Sequence, residues 1–194
     1  VYHGGGSLVR EFQQHASAAR ALNLLRFWDP RTIAILARHM RQVGCHVVHS
    51  HLWTADLLTG CAAALARVPI RVATVHGNYF YPVNGGIRRA SLSRLYRLVY
   101  ALYDKVIAVS ESVRRDLTTR PGVHVPHEKI EVIRDGLDVS RMVRFGVQGA
   151  DFSVRTRLEV PHRAPLVSTV ANFVPIKGHR WLLRAVPIVR RHVP

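Results

Sequence analysis

The sequence predicts an α/β fold, a doubly wound parallel sheet covered by helices. Two observations carry that expectation. Short runs rich in Val and Ile alternate along the chain with amphipathic helical patterns, and the runs are continuous where strict apolar/polar alternation would mark a half-exposed strand. With 194 residues, 48% of them hydrophobic, the chain can bury a core of one domain and have a remainder.

The elements follow in order. Leu22 to Leu25, "LNLL", is an apolar run of strand length. Asp29 then offers a helix cap with Pro30 at the first helical position, and Ile33, Leu36, Ala37 and Met40 recur at helical spacing until Gly44 stops the helix. The unit repeats as "CHVVHS" followed by "TADLLTGCAAALARV", and as "IRVATVH" followed, after a Gly/Pro/Asn-rich loop, by the long helix Arg88 to Tyr103. On that helix Leu92, Leu95, Tyr96, Val99, Leu102 and Tyr103 share one face, with Arg94 and Arg97 opposite and Arg88 and Arg89 at its start. "KVIAVS" and "ESVRRDLTTR" form the next unit, and "KIEVIRDG" is a further strand. Together these units make a Rossmann-like layer. From Leu137 to Ala164 the periodicity fades, with one short helix expected around Phe152 to Leu158. "PLVSTVANF" then reads as a new strand and "GHRWLLRAVPIVRRHV" as a helix interrupted or kinked at Pro187.

Composition excludes several classes. Cys45 and Cys61 fit neither a disulfide framework nor a zinc spacing, and each lies in an apolar stretch, so buried free thiols in a reducing compartment, the cytoplasm, are expected. No uninterrupted apolar run reaches the roughly 18 residues a membrane span needs, and "VYHGGGSL" lacks the order of a secretory signal. A first residue that is Val fits a processed chain or a piece of a longer one. The formal charge of +16, from 28 Lys+Arg against 12 Asp+Glu, attracts polyanions: nucleic acid, anionic lipid head groups, nucleotide phosphates. Most of the basic residues are Arg, which a GC-rich coding sequence explains as readily as a selected surface.

Some positions carry chemistry. "VANFVPIKGH", Val170 to His179, brings Lys177 and Gly178 to the start of a helix, where a cation and open amides can hold a phosphate. His76 ends "VATVHG", at the carboxyl end of a parallel strand, where open sheets of this kind bind ligands. His49 and His51 fall on one side of an extended segment, yet no Cys, Asp or third His stands at ligand spacing, so no metal is expected. Ser110 can cap the helix beginning at Glu111, whose amides could equally face a substrate anion. Asp135, Gly136 and Asp138 shape a turn, Gly136 by permitting a positive backbone angle.

The order of these motifs resembles the family-4 retaining glycosyltransferases of GT-B fold, in which two Rossmann-like domains face each other across the substrate cleft. "DPRTIAILARHMRQVGCHVVHSHLWTADLLTGCAAALARVPIRVATVHG" looks like the family's helix, His-bearing strand end, Ala-rich helix, and strand ending in His-Gly. "DKVIAVSESVRRDL" resembles its Ser-capped turn. "KIEVIRDGLDVSRM" is similar to its Asn-Gly-(Ile/Val)-Asp signature with Asp135 in place of Asn, and "VSTVANFVPIKGHRWLLRA" resembles the first strand, Lys-Gly loop and helix of its donor-binding domain.

On that resemblance, residues 1–150 are the acceptor-side domain without its first strand and helix. Residues 151–164 are then a linker, and 165–194 the beginning of a truncated nucleotide-sugar-binding domain. The implied activity is sugar transfer from a nucleotide-sugar donor to a sugar, lipid-linked or small-molecule acceptor, with retained anomeric configuration and no cofactor or metal. The later Glu pair that grips the donor is missing, so the piece is expected to be inactive alone. Lys177, with Gly178 assisting, is implied to contact the donor diphosphate, and Asn172 stands where many members carry a second cation, Arg. His76 is implied to reach the donor sugar, with His51, Ser110, Asp135 and Gly136 lining the acceptor side. The Arg-edged helix suggests docking on an anionic membrane, on the inner face, suited to a lipid-linked acceptor. The competing expectation is a non-catalytic basic module binding anionic lipid or nucleic acid. No recognised nucleic-acid motif supports the latter.

Overall fold

A computed structural model describes residues 9–19, 30–77, 86–140, 142–143, 153–161 and 164–192. The expected strand Leu22 to Leu25, the Asp29 cap and most of the loop before Ile87 lie outside the described residues. Contacts divide the chain into two units, residues 1–137 and 138–194.

The first unit is an α/β layer. Helix α1 (Val9–His15) precedes α2 (Pro30–Gln42), β1 (Val47–His51), α3 (Trp53–Ala66), β2 (Ile70–Val75), α4 (Gly86–Ala101), β3 (Lys105–Ala108), α5 (Glu111–Thr119) and β4 (Ile130–Val132). The four strands form one parallel sheet in the order β1-β2-β3-β4. Every connection must therefore recross the sheet, and in each gap the helical pattern read from the sequence supplies the crossover: α3, α4 and α5.

The helices form where their apolar spacing requires. On α2, Leu36, Ala37 and Met40 are buried together with Leu58, Ala62, Ala63 and Val68, and Ile33 packs at the margin. Gly44, at φ 59°, ends α2, with Cys45 N–H donating to Met40 O at 2.9 Å in a left-handed cap. The larger core lies between α4, α5 and the sheet. It gathers Tyr96, Val99, Tyr100 and Tyr103 with Ala73, Val75, Val106, Ala108, Val113, Leu117 and Ile130. Arg94 and Arg97 are exposed on the opposite side of α4. Both cysteines are free, but they are half-buried where burial was expected, each standing at the margin of an apolar face that packs inward.

In the second unit, α6 (Ser153–Arg157) matches the short helix expected near Phe152 to Leu158, and α7 (His179–His192) the last one. The interruption that is one of the two outcomes expected at Pro187 is not present: α7 runs through it. Proline removes a single backbone donor, and the flanking turns keep theirs. The strand expected over "PLVSTVANF" does not form either. Residues 165–172 carry no ladder, and Val167 (78%), Val170 (100%) and Phe173 (95%) are exposed. A strand is defined by its partner, and no neighbouring strand among the described residues takes up its hydrogen bonds. Among the described residues no helix is long and apolar enough to cross a membrane.

Candidate functional site

Parallel strands in sequential order place their carboxyl ends in a row. His51 closes β1, His76 follows β2 immediately, Ser110 follows β3, and Asp135 lies three residues beyond the last residue of β4. The β1–β2 register pairs His51 with Thr74, so the two strand ends lie side by side. Their histidines meet: His51 Nδ1 is 2.8 Å from His76 Nε2, and His76 Nδ1 is 3.8 Å from Asp135 Oδ2. His49 stacks beside them, its ring centroid 4.4 Å from that of His51 and its Nε2 2.7 Å from Thr74 Oγ1. Partial burial pushes the His51 imidazole below its usual range. The neighbouring His49 and His76 push the same way, and Asp135 opposes them.

His51, His76 and Asp135 are thus brought into one cluster, as the sequence places them at one end of the sheet. Ser110 is not in it: its hydroxyl accepts the Val113 N–H at 3.2 Å and caps α5. The part assigned to Gly136 is corrected. It does not adopt a positive φ, and nothing lies within 4 Å of where a Cβ would stand, so neither conformation nor space demands glycine there. His49 and His51 do gain a third histidine in His76. Even so, among the described residues no group of three or more His, Cys, Asp or Glu is arranged to hold a metal ion.

A second set of polar groups lies beneath this cluster and was not anticipated. Ser50 Oγ donates to Asp56 Oδ1 at 2.6 Å, Tyr100 OH donates to Asp56 Oδ2 at 3.3 Å, and Tyr103 OH donates to the Asp56 carbonyl at 2.6 Å. All four residues are buried. Burial raises the Asp56 carboxyl to about 6, against the opposing hydrogen bonds from Ser50 and Tyr100. The signal was in the sequence: Asp56 is the lone charge in the otherwise apolar helix "WTADLLTGCAAALA", and buried carboxylates need partners.

In the second unit, Lys177 closes a 3-10 turn, Pro175–Lys177, and is exposed. Gly178, at φ 75°, donates to Pro175 O at 3.1 Å, while its own carbonyl accepts from Trp181 and Leu182 at 2.8 and 3.1 Å. It joins the turn to α7 in a conformation that favours glycine. His179 Nε2 donates to Asn172 O at 2.9 Å, so Asn172 holds the turn through its backbone. Lys177, Gly178 and Asn172 therefore lie on one loop at a helix start, as the sequence indicates.

Comparison with known proteins gives two findings. The family model for Glycosyltransferase Family 4 matches residues 1–141, a span that holds the histidine cluster and ends before Asn172. A D-inositol 3-phosphate glycosyltransferase of Salinispora tropica is 27% identical over 158 residues, which is 76% of this chain and 32% of that protein. The chain therefore spans about a third of that relative's length.

Proposed function

Because the chain belongs to glycosyltransferase family 4, we propose that its protein transfers a sugar from a nucleotide-sugar donor to a hydroxyl acceptor with retention of anomeric configuration. The bond from the sugar's anomeric carbon to the diphosphate breaks, the acceptor oxygen bonds to that carbon, and a phosphate oxygen takes the acceptor's proton. The difficult part of such a step is the charge that develops on the departing diphosphate, and fixed cations and amides stabilise it best. Lys177 and the amides that open α7 after Gly178 are assigned to that diphosphate, the Lys177 and Gly178 amides themselves being spent on Val174 O and Pro175 O, and Asn172 contributing no charge where many members carry Arg. His76 is assigned to the donor sugar at the transferring carbon, with His51 and Asp135 behind it.

The observation that supports the reading most is the meeting of His51, His76 and Asp135 at the carboxyl ends of a parallel sheet, the end at which open α/β sheets bind ligands. The relative's name makes a phosphorylated polyol such as D-inositol 3-phosphate the first acceptor to try. The test is to incubate the chain, and the longest reading frame that contains it, with a panel of nucleotide sugars and that acceptor, following the product anomer by proton NMR. Transfer with the donor's anomeric configuration, lost in His76→Ala, is the expected result. Absence of both nucleotide-sugar binding and transfer from the longest frame overturns the reading.

A further inference from the structure

The contact between His51 and His76 is constrained by elementary proton counting. A neutral imidazole has one N–H and one lone pair, and an N···N separation of 2.8 Å needs one of each. Two arrangements satisfy it. In the first, His51 Nδ1–H donates to His76 Nε2, and the remaining N–H of His76 is on Nδ1, toward the Asp135 carboxylate. In the second, His76 donates, and the lone pair on its Nδ1 faces that carboxylate, an unfavourable opposition. Asp135 Oδ2 at 3.8 Å therefore selects the first.

We propose that His51 is a positioning residue for His76: it holds the ring by the hydrogen bond at Nε2, joins Asp135 in favouring its Nδ1–H tautomer, and governs the proton that His76 can take up. Among the described residues the nitrogen of the pair left without a partner is then Nε2 of His51, where an added proton enters. Movement of the bridging hydrogen from His51 Nδ1 to His76 Nε2 places the positive charge on His76, next to Asp135. A second added proton puts hydrogens on both facing nitrogens and breaks the contact. The pair therefore holds one extra proton and titrates as a unit. Among the described residues the groups facing it are His49, stacked at 4.4 Å and bonded to Thr74, and Asp135. Mutual repulsion with His49 and His76, on top of partial burial, already lowers the His51 titration.

The inference rests on the proposed role of His76 for its catalytic meaning, but not for its detection. In the 194-residue chain labelled with nitrogen-15 at histidine, long-range proton–nitrogen spectra from acid to alkaline pH report tautomer and charge of each ring. The wild-type His76 is expected in the Nδ1–H form at high pH and in a two-step titration shared with His51. His51→Ala should abolish the shared titration, while Asp135 continues to favour the Nδ1–H form. His51→Asn, whose side-chain amide can replace the Nδ1–H donor, should hold the ring through the same contact but leave His76 to titrate in one step. An unchanged His76 titration curve in folded His51→Ala overturns the proposal, and His51→Asn supplies the same decision should the alanine variant not fold. Where transfer is measurable, the acid limb of the kcat/KM profile should shift in both variants. An unshifted limb refutes the catalytic consequence. An intact ring coupling without any sugar transfer refutes the proposed function alone.

Discussion

Ser50 Oγ lies 2.6 Å from Asp56 Oδ1 and 2.9 Å from Tyr103 OH, which in turn lies 2.6 Å from the Asp56 carbonyl, so β1, α3 and the chain just after α4 are joined by one buried ring of hydroxyls and an acid. Hydrogen counting decides the charge the ring prefers. With Asp56 ionised, Ser50 and Tyr103 both spend their hydrogens on Asp56, and their mutual contact has none. With Asp56 protonated, the acid donates to Ser50, Ser50 to Tyr103 and Tyr103 to the Asp56 carbonyl, and every contact holds one hydrogen.

The first prediction follows from the burial of that acid, which outweighs the hydrogen bonds favouring its charge. The folded Asp56 titrates at about 6, above its unfolded value. Its stabilising contribution is therefore fully present below the ordinary carboxylate range, declines as pH rises toward 6, and is lost above it. The linkage amounts to about 3 kcal/mol, as an order of magnitude. Asp56→Asn reproduces the protonated ring without a titratable group. Urea unfolding of both proteins between pH 4 and 7.5 should show the variant gaining on the wild type as pH rises. A difference that does not change with pH defeats the assignment.

Much of this architecture could be read before any coordinates. The buried face of α2, Leu36, Ala37 and Met40, follows from 3.6-residue spacing, and the sheet follows from strand-helix alternation. His51 and His76 could each be placed at a strand's carboxyl end, but their contact depends on the pairing of His51 with Thr74, and local pattern does not encode register. Tyr100 went unremarked because its value lies in the hydroxyl that reaches Asp56 across helices, 44 residues away in sequence. The apolar pattern of residues 165–172 was legible too, but pattern states only an ability to pair. Gly136 shows the converse: an Asp-Gly sequence permits a positive φ without requiring it.

Gly60 should not tolerate alanine. In an exposed helix the exchange would gain about 1 kcal/mol. Here the added Cβ would stand 2.9 Å from Tyr103 Cε2. That ring is buried and its hydroxyl is tied to Ser50 and Asp56, so it cannot swing away. A net loss of about 1–3 kcal/mol is expected. Chemical denaturation of Gly60→Ala measures it, and a gain in stability would show that Tyr103 is freer than its bonds indicate.

Leu52 offers the opposite case. It stands between His51 and α3 at φ 75°, ψ 138°, a region that L side chains rarely occupy, and it is exposed. Strain of this kind costs about 1–3 kcal/mol, while glycine's added freedom in the unfolded chain takes back up to about 1 kcal/mol. Leu52→Gly should therefore raise the midpoint of thermal unfolding. A lowered midpoint would mean that the leucine side chain contributes more than its conformation costs.

Lys177 carries the donor half of the proposed function, and charge can be added as well as removed on its loop. An ammonium bonded to phosphate contributes about 1.5–3 kcal/mol, so Lys177→Ala should weaken nucleoside diphosphate binding ten- to a hundredfold by calorimetry, with a matching rise in the donor KM. Asn172 fastens the same turn through its backbone carbonyl, to His179 Nε2 at 2.9 Å, which leaves its side chain replaceable without undoing the turn. Asn172→Arg should accordingly tighten diphosphate binding, and steepen its dependence on salt, because one more cation faces the same anion. If alanine at 177 leaves the affinity unchanged while arginine at 172 raises it, the loop binds the diphosphate through its amides, and Lys177 is a solvated surface charge.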